Sequence, residues 1–146
     1  MITSNVPEIA VSEGANSRYD SAILIDDNRL ELMLNRSLLQ RNHFAQHLLA
    51  FMNPHNALEF LNDAAGKHIY DDSDKPIVIF LDLYMPEMSG FEFLDAFEQL
   101  DEQFKSKFKI YLLSNCTNPV ELMKVKGCKS IYGFIPKPLS GRLLAA

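Results

Sequence analysis

The feature that most restricts the fold is a set of short apolar runs that alternate with amphipathic segments along the 146-residue chain. Runs of four to eight apolar residues that end in turn signals are typical of strands covered on both faces. We therefore predict five strands, in the segments SAILIDD, HLLAFM, PIVIFLDL, KIYLLS and IYGFI.

The segments between these runs carry helix signals. Leu30, Leu34 and Leu38 recur every four residues, which predicts the apolar face of a helix after the first strand. Asn53 and Pro54 match an N-cap and a first helical position after the second strand. Three more helices are predicted, over residues 89–104 with a capping box at its start, over residues 118–127, and in the final segment SGRLLAA.

The regular alternation of strands and helices predicts an α/β fold. Strands that are buried on both faces and joined by helices must be mostly parallel. Right-handed crossovers then give an open, doubly wound sheet. Residues 1–20 show no sustained period, so we expect a flexible N-terminal tail before a single domain over residues 21–146 that ends in a short helix.

Composition excludes several classes of function. The net charge of −5 gives no electrostatic basis for binding nucleic acid or an anionic membrane surface. The sequence has no membrane-length apolar run and no signal-peptide pattern at its start. Cys116 and Cys128 form neither a disulfide framework nor a zinc pattern, so a reducing, cytoplasmic setting is expected.

Five polar residues fall at the carboxyl ends of predicted strands. Asp26 and Asp27 end the first strand, Asp82 the third and Ser114 the fourth, while Lys137 follows the fifth. Open α/β sheets bind ligands at this edge, where the strand order reverses. We therefore predict that these five side chains converge on one site.

Their chemistry indicates a phosphoryl site with a divalent cation. Three crowded carboxylates repel one another, and a cation removes that conflict. Oxygen ligands without nearby sulfur or imidazole suit Mg²⁺. A lysine and a serine hydroxyl can bind phosphate oxygens, and a carboxylate can itself become an aspartyl phosphate.

Four segments, ILIDD, FLDLYMPEMSGFEFL, YLLSN and FIPKP, together resemble the receiver domain of two-component response regulators. The resemblance extends from Ser21 to about Leu144, and LDLYMPEMSG is its most specific part. It implies a five-stranded, flavodoxin-like (βα)5 fold with the strand order 2-1-3-4-5. It also implies a signalling domain that assists its own phosphorylation and dephosphorylation, rather than an enzyme with a separate substrate.

The resemblance assigns the phosphoacceptor and the metal ligands. Asp82 would accept a phosphoryl group from a histidine kinase or a histidine phosphotransfer protein. Asp27 would bind Mg²⁺ directly together with Asp82, and Asp26 would act largely through water. The backbone carbonyl of Tyr84 would complete the protein ligands.

The resemblance also assigns the residues that respond to phosphorylation. Ser114 and Lys137 would bind the phosphoryl oxygens. Phe134 would rotate toward the space that Ser114 leaves and so change a surface that binds a downstream protein. The family usually has a cis peptide between Lys137 and Pro138.

Two other functions remain open at the level of sequence. A phosphohydrolase of the haloacid dehalogenase type also uses an aspartate nucleophile and Mg²⁺, but it needs a second acid where this chain has Tyr84. A pseudo-receiver would keep the fold as a scaffold without phosphorylation. Because few residues follow Lys137, we expect either a stand-alone receiver or a domain cut from a longer protein.

Overall fold

The structure, a computed structural model, describes residues 8–11, 17–114 and 128–141. The helix predicted over residues 118–127 and most of the predicted final helix lie outside these ranges. None of the helices in the described ranges has the length and apolar character needed to span a bilayer.

The described residues form one six-stranded sheet with the order β1-β3-β2-β4-β5-β6. The last five strands pair in parallel, so the predicted doubly wound sheet with the order 2-1-3-4-5 is confirmed. The strands are β1 (Glu8–Val11), β2 (Tyr19–Ile25), β3 (Ala45–Phe51), β4 (Ile77–Asp82), β5 (Phe108–Ser114) and β6 (Ile131–Pro136).

Helices connect β2 to β3, β3 to β4 and β4 to β5, and their caps agree with the sequence signals. The side chain of Asn53 accepts the backbone N–H of His55 at 2.8 Å. Ser89 and Glu92 exchange both bonds of a capping box. The helices of the described ranges are α1 (Arg29–Arg41), α2 (Pro54–Gly66), α3 (Gly90–Phe97) and α4 (Glu102–Lys105).

The sheet is the middle layer of the protein, with an apolar cluster on each face. β4 is buried along its whole length, because its alternate side chains enter both clusters. Phe93 and Phe97 of α3 pack on one face, and Leu32 and Leu39 of α1 pack on the other. This burial holds the carboxyl ends of the strands in a fixed position.

The expectation of a tail over residues 1–20 is wrong where the structure describes this segment. Glu8–Val11 forms an edge strand antiparallel to β3, with Glu8 opposite Ala50 and Val11 opposite His47. β2 begins at Tyr19, two residues before the predicted domain start. An edge strand is held by backbone hydrogen bonds to its neighbour. Four residues are too few to show the side-chain period that would predict such a strand.

The predicted apolar face of α1 is wrong at Leu30 and Leu34, whereas Leu38 is partly buried and packs on the core. Leu30 is 65% exposed and Leu34 is 59% exposed, whereas Leu32 and Leu39 are buried together with Asn35. α1 carries two apolar stripes, and spacing alone does not show which of them faces the sheet.

The helix predicted over residues 89–104 is divided into α3 and α4. Asp101 has an extended backbone, and its side chain accepts the N–H of Gln103 at 3.1 Å, so it caps a new helix. The apolar period continues because Phe104 still packs on Phe108, with 4.9 Å between their ring centroids.

Candidate functional site

Parallel pairing brings the ends of four strands to one edge of the sheet. Ile25 lies opposite Leu81, so Asp26 follows β2 beside the end of β4 at Asp82. Asp82 lies opposite Leu113, and Ser114 pairs with Pro136 immediately before Lys137. The structure therefore brings the predicted residues to a common edge, as the parallel topology requires.

The three aspartates form an acidic cluster at this edge. Asp26, Asp27 and Asp82 each offer a carboxylate oxygen, and these oxygens lie within 4.8 Å of one another. Asp26 is 1% exposed and Asp82 is 5% exposed, while Asp27 faces the solvent. Two buried carboxylates at this separation repel each other strongly unless cations compensate them.

Lys137 supplies one such cation. Its Nζ lies 3.2 Å from Asp82 Oδ1 and 3.6 Å from Asp26 Oδ2. The same Nζ donates a hydrogen bond of 2.8 Å to Glu31 Oε2. The backbone N–H of Lys137 donates to Ser114 O at 3.1 Å, and the following peptide bond to Pro138 is cis.

Burial has the largest effect on the pKa values of the two buried aspartates. Burial, with a contribution from the charge of Asp82, raises the pKa of Asp26 to about 7. Burial also raises the pKa of Asp82, against the opposing effect of Lys137. Burial disfavours the charge of Lys137, yet the hydrogen bond to Glu31 and the two aspartates hold its pKa above the ordinary value.

The acidic cluster fits a hard divalent cation. Asp26 Oδ2 is buried and accepts no hydrogen bond from the residues that the structure describes. The donors are all oxygen atoms, which is the ligand set that Mg²⁺ prefers. A cation here would favour the ionised carboxylates and so oppose the effect of burial on the pKa values of Asp26 and Asp82.

The remaining predicted residues lie in the loop after β4, at the end of β5 and on β6. The N–H of Tyr84 donates to Asp82 Oδ1 at 3.4 Å, and its side chain is 54% exposed. Ser114 is buried and, by strand alternation, shares a sheet face with Leu112. Phe134 pairs with Leu112 and packs, partly buried, on that same face.

Gly90 fixes the loop that follows Asp82. Its N–H donates to Leu83 O at 2.8 Å, which folds the start of α3 against the end of β4. A Cβ at this position would lie 2.9 Å from both Asp82 O and Leu83 Cα. Both contacts are with backbone atoms that form the site, so a side chain cannot enter without moving them.

We expect Gly90→Ala to lower the free energy of unfolding by about 1–3 kcal/mol, the usual effect of overpacking. Urea denaturation of the purified protein measures this change. Gly66→Ala is the matched control, because no described atom lies within 4 Å of its added Cβ. Alanine there should leave stability unchanged or raise it slightly, and equal stability of both variants would contradict the close approach at Gly90.

The sequence analysis missed Glu31. Its carboxylate lies closer to Lys137 than either aspartate does. Asn28 and Glu31 have capping-box spacing at the start of α1. This spacing could have identified Glu31 as an acidic residue in the first turn of a helix. That spacing does not show that the side chain turns toward a lysine more than one hundred positions away.

The fold and the site together define an α/β domain with an acidic, lysine-bearing edge. A family model described as response regulator receiver domain matches residues 22–146. The chain therefore belongs to the response regulator receiver domain family.

Solved structures agree with this assignment. A two-component response regulator from Cytophaga hutchinsonii is 26% identical, with a TM-score of 0.73, and the alignment covers 88% of this chain and 92% of that one. A response regulator receiver protein from Dyadobacter fermentans is 25% identical, with a TM-score of 0.71 and coverage of 85% and 91%.

The receiver domain of the histidine kinase CKI1 from Arabidopsis thaliana, crystallised with Mg²⁺, is 18% identical, with a TM-score of 0.70 and coverage of 83% and 85%. At this identity the likeness concerns the fold alone. A comparison with curated proteins gave no match.

Proposed function

We propose that the protein accepts a phosphoryl group on Asp82 from a histidine kinase or a histidine phosphotransfer protein, and that the phosphorylated form presents a changed surface to a downstream protein. The observation that carries this proposal is the position of Lys137 Nζ, 3.2 Å from Asp82 Oδ1 beside the acidic cluster. A carboxylate paired with a lysine at a sheet edge is suited to receive a phosphoryl group.

In the transfer step, a carboxylate oxygen of Asp82 attacks the phosphorus of a phosphohistidine. An O–P bond forms and the P–N bond breaks, and the donor ring, protonated on its other nitrogen, leaves as neutral imidazole. Asp82 needs no base, because the ionised carboxylate is the nucleophile. Lys137 then lies next to the transferred oxygens and compensates their charge.

The residues that would hold Mg²⁺ are Asp27 and Asp82, with the backbone carbonyl of Tyr84, while Asp26 would act through water. Three carboxylates within 4.8 Å and a buried Asp26 oxygen without a hydrogen bond from the described residues support this assignment. When bound, the ion supplies positive charge that offsets repulsion between the carboxylates and the phosphoryl donor. The Mg²⁺ complex of the CKI1 receiver domain shows that this fold accommodates the ion in that protein.

Ser114 and Phe134 would convert the new charge into a change of packing. The phosphoryl oxygens attract the hydroxyl of Ser114, which lies at the end of β5. Phe134 lies on the same sheet face as Ser114 and is only partly buried. We expect it to rotate toward the space that Ser114 leaves. Such a packing element with two positions, biased by local charge, is a common form of phosphorylation switch.

The donor protein must place its phosphohistidine over Asp82. α1 begins two positions after Asp27, and its exposed stripe offers an apolar contact surface beside the site. Leu30, Met33 and Leu34 of this stripe are each more than half exposed. Exposed apolar groups of this kind mark contact surfaces for proteins.

Incubation with acetyl phosphate and Mg²⁺ tests the proposal. Acetyl phosphate should transfer one phosphoryl group to Asp82 and leave as acetate. Intact-mass spectrometry should show the mass gain. Asp82→Asn should abolish it, whereas Asp95→Asn, on the exposed side of α3, should retain it. No gain from acetyl phosphate or phosphohistidine donors would favour a scaffold, and sustained hydrolysis of phosphomonoesters would favour a phosphohydrolase.

A further inference from the structure

Glu31 is the nearest charged partner of Lys137 among the residues that the structure describes. The distance from Lys137 Nζ is 2.8 Å to Glu31 Oε2, compared with 3.2 Å to Asp82 Oδ1. The lysine side chain is 12% exposed and that of Glu31 is 37% exposed, so the ion pair is partly buried. The hydrogen bond to Lys137 also lowers the pKa of Glu31, which keeps it charged.

The start of α1 explains why Glu31 is available for this contact. Asn28 caps the helix by accepting the N–H of Glu31 at 3.0 Å. In a closed capping box, as in α3, the glutamate would accept the N–H of the capping residue in return. Here the N–H of Asn28 donates to Asp26 Oδ1 at 2.9 Å instead. The carboxylate of Glu31 is thereby left to bind Lys137.

From this geometry we propose that Glu31 is a positioning residue that competes with the phosphoryl group for Lys137. The inference rests on the proposed phosphorylation of Asp82. In the resting protein the ammonium group is shared among Glu31, Asp82 and Asp26. Transfer requires it to turn toward the phosphoryl oxygens, so the contact with Glu31 must weaken first. Glu31 therefore slows the gain of the phosphoryl group.

The expected size of the change in phosphorylation rate follows from the partial exposure of the ion pair between Glu31 and Lys137. A partly exposed ion pair contributes up to ~1 kcal/mol. We therefore expect Glu31→Gln, which keeps the shape but removes the charge, to raise the rate of phosphorylation about fivefold. The change should be absent when Lys137 is replaced, because Glu31 acts through this lysine.

The experiment measures phosphorylation rates with acetyl phosphate and Mg²⁺ in four proteins: native, Glu31→Gln, Lys137→Met, and the double variant. Glu31→Gln should be about fivefold faster than native, and the two proteins without Lys137 should have equal rates. Glu87→Gln controls for net charge, since Glu87 is exposed in the loop between β4 and α3. It should match the native rate. Circular dichroism verifies that each variant is folded.

The outcomes separate the inference from the proposed function. If native protein is phosphorylated but Glu31→Gln is unchanged or slower, the inference fails and the function stands. If Glu31→Gln accelerates the reaction equally without Lys137, the glutamate acts by long-range repulsion of the donor, and the inference also fails. If native protein takes no phosphoryl group, the proposed function fails and the inference falls with it.

Discussion

Lys137→Met is expected to slow phosphorylation of Asp82 by about a hundredfold, the usual effect of removing one group that stabilises a developing negative charge. It is also expected to lower the free energy of unfolding in metal-free buffer by about 3 kcal/mol, because a buried ion pair loses one partner. Asp26, Asp82 and Glu31 all lie within 4 Å of Lys137 Nζ, so one substitution leaves three carboxylates without this cation. Added Mg²⁺ should recover part of the lost stability, because it supplies charge to the same carboxylates.

Lys105→Met provides the matched control. Lys105 is also a buried lysine, bound to Glu98 at 2.9 Å, but it lies between β4 and β5 in sequence and away from the acidic cluster. Its loss should reduce stability without changing the phosphorylation rate, and Mg²⁺ should not rescue it. Urea denaturation with and without Mg²⁺, together with the acetyl phosphate assay, measures both properties. Equal phosphorylation rates of Lys137→Met and native protein would show that the lysine takes no part in transfer.

The core of the fold could be predicted because the central strands are buried on both faces. β4 is apolar up to Asp82, and an unbroken apolar run of this length is typical of a central strand in a parallel sheet. The helix caps at Asn53 and Ser89 could also be predicted, because each depends on residues close in sequence. Local signals therefore predicted the order of elements, and parallel pairing followed from it.

Features that depend on distant partners could not be predicted. The pairing of Glu8–Val11 is determined by the free edge of β3, which no local pattern reveals. The orientation of α1 is decided by the sheet, so Leu32 is buried and Leu34 is not, although both have the same side chain. Tertiary contacts select between two apolar stripes that the sequence presents as equivalent.

The residues of the functional site also divide into those that local signals predict and those that depend on distant partners. Asp26, Asp82 and Lys137 were identified because polar residues at the ends of apolar strands are conspicuous and the topology brings strand ends together. Glu31 lies on a helix, where acidic residues in the first turn are common. Its contact with Lys137 depends on how α1 meets the loop after β6, which is a tertiary property.

In metal-free buffer, Asp26→Asn is expected to be more stable than native protein by about 2–4 kcal/mol near pH 8, and nearly equal to it near pH 4. The pKa of Asp26 rises from 3.8 to about 7 in the folded state. Between these values the unfolded chain releases its proton while the folded chain keeps it. The contribution of Asp26 to stability therefore falls as the pH rises through this window and is smallest above pH 7. Asparagine does not ionise, so it avoids this loss.

Urea denaturation of both proteins at several pH values between about 4 and 8 measures the difference. Asp72→Asn, in an exposed loop, gives the general effect of removing one negative charge. With Mg²⁺ near pH 8 the advantage of Asp26→Asn should shrink, because the cation stabilises the ionised carboxylate in native protein. A difference that stays constant across the pH range would mean that burial does not raise the pKa of Asp26, and that this carboxylate is ionised in the folded protein throughout.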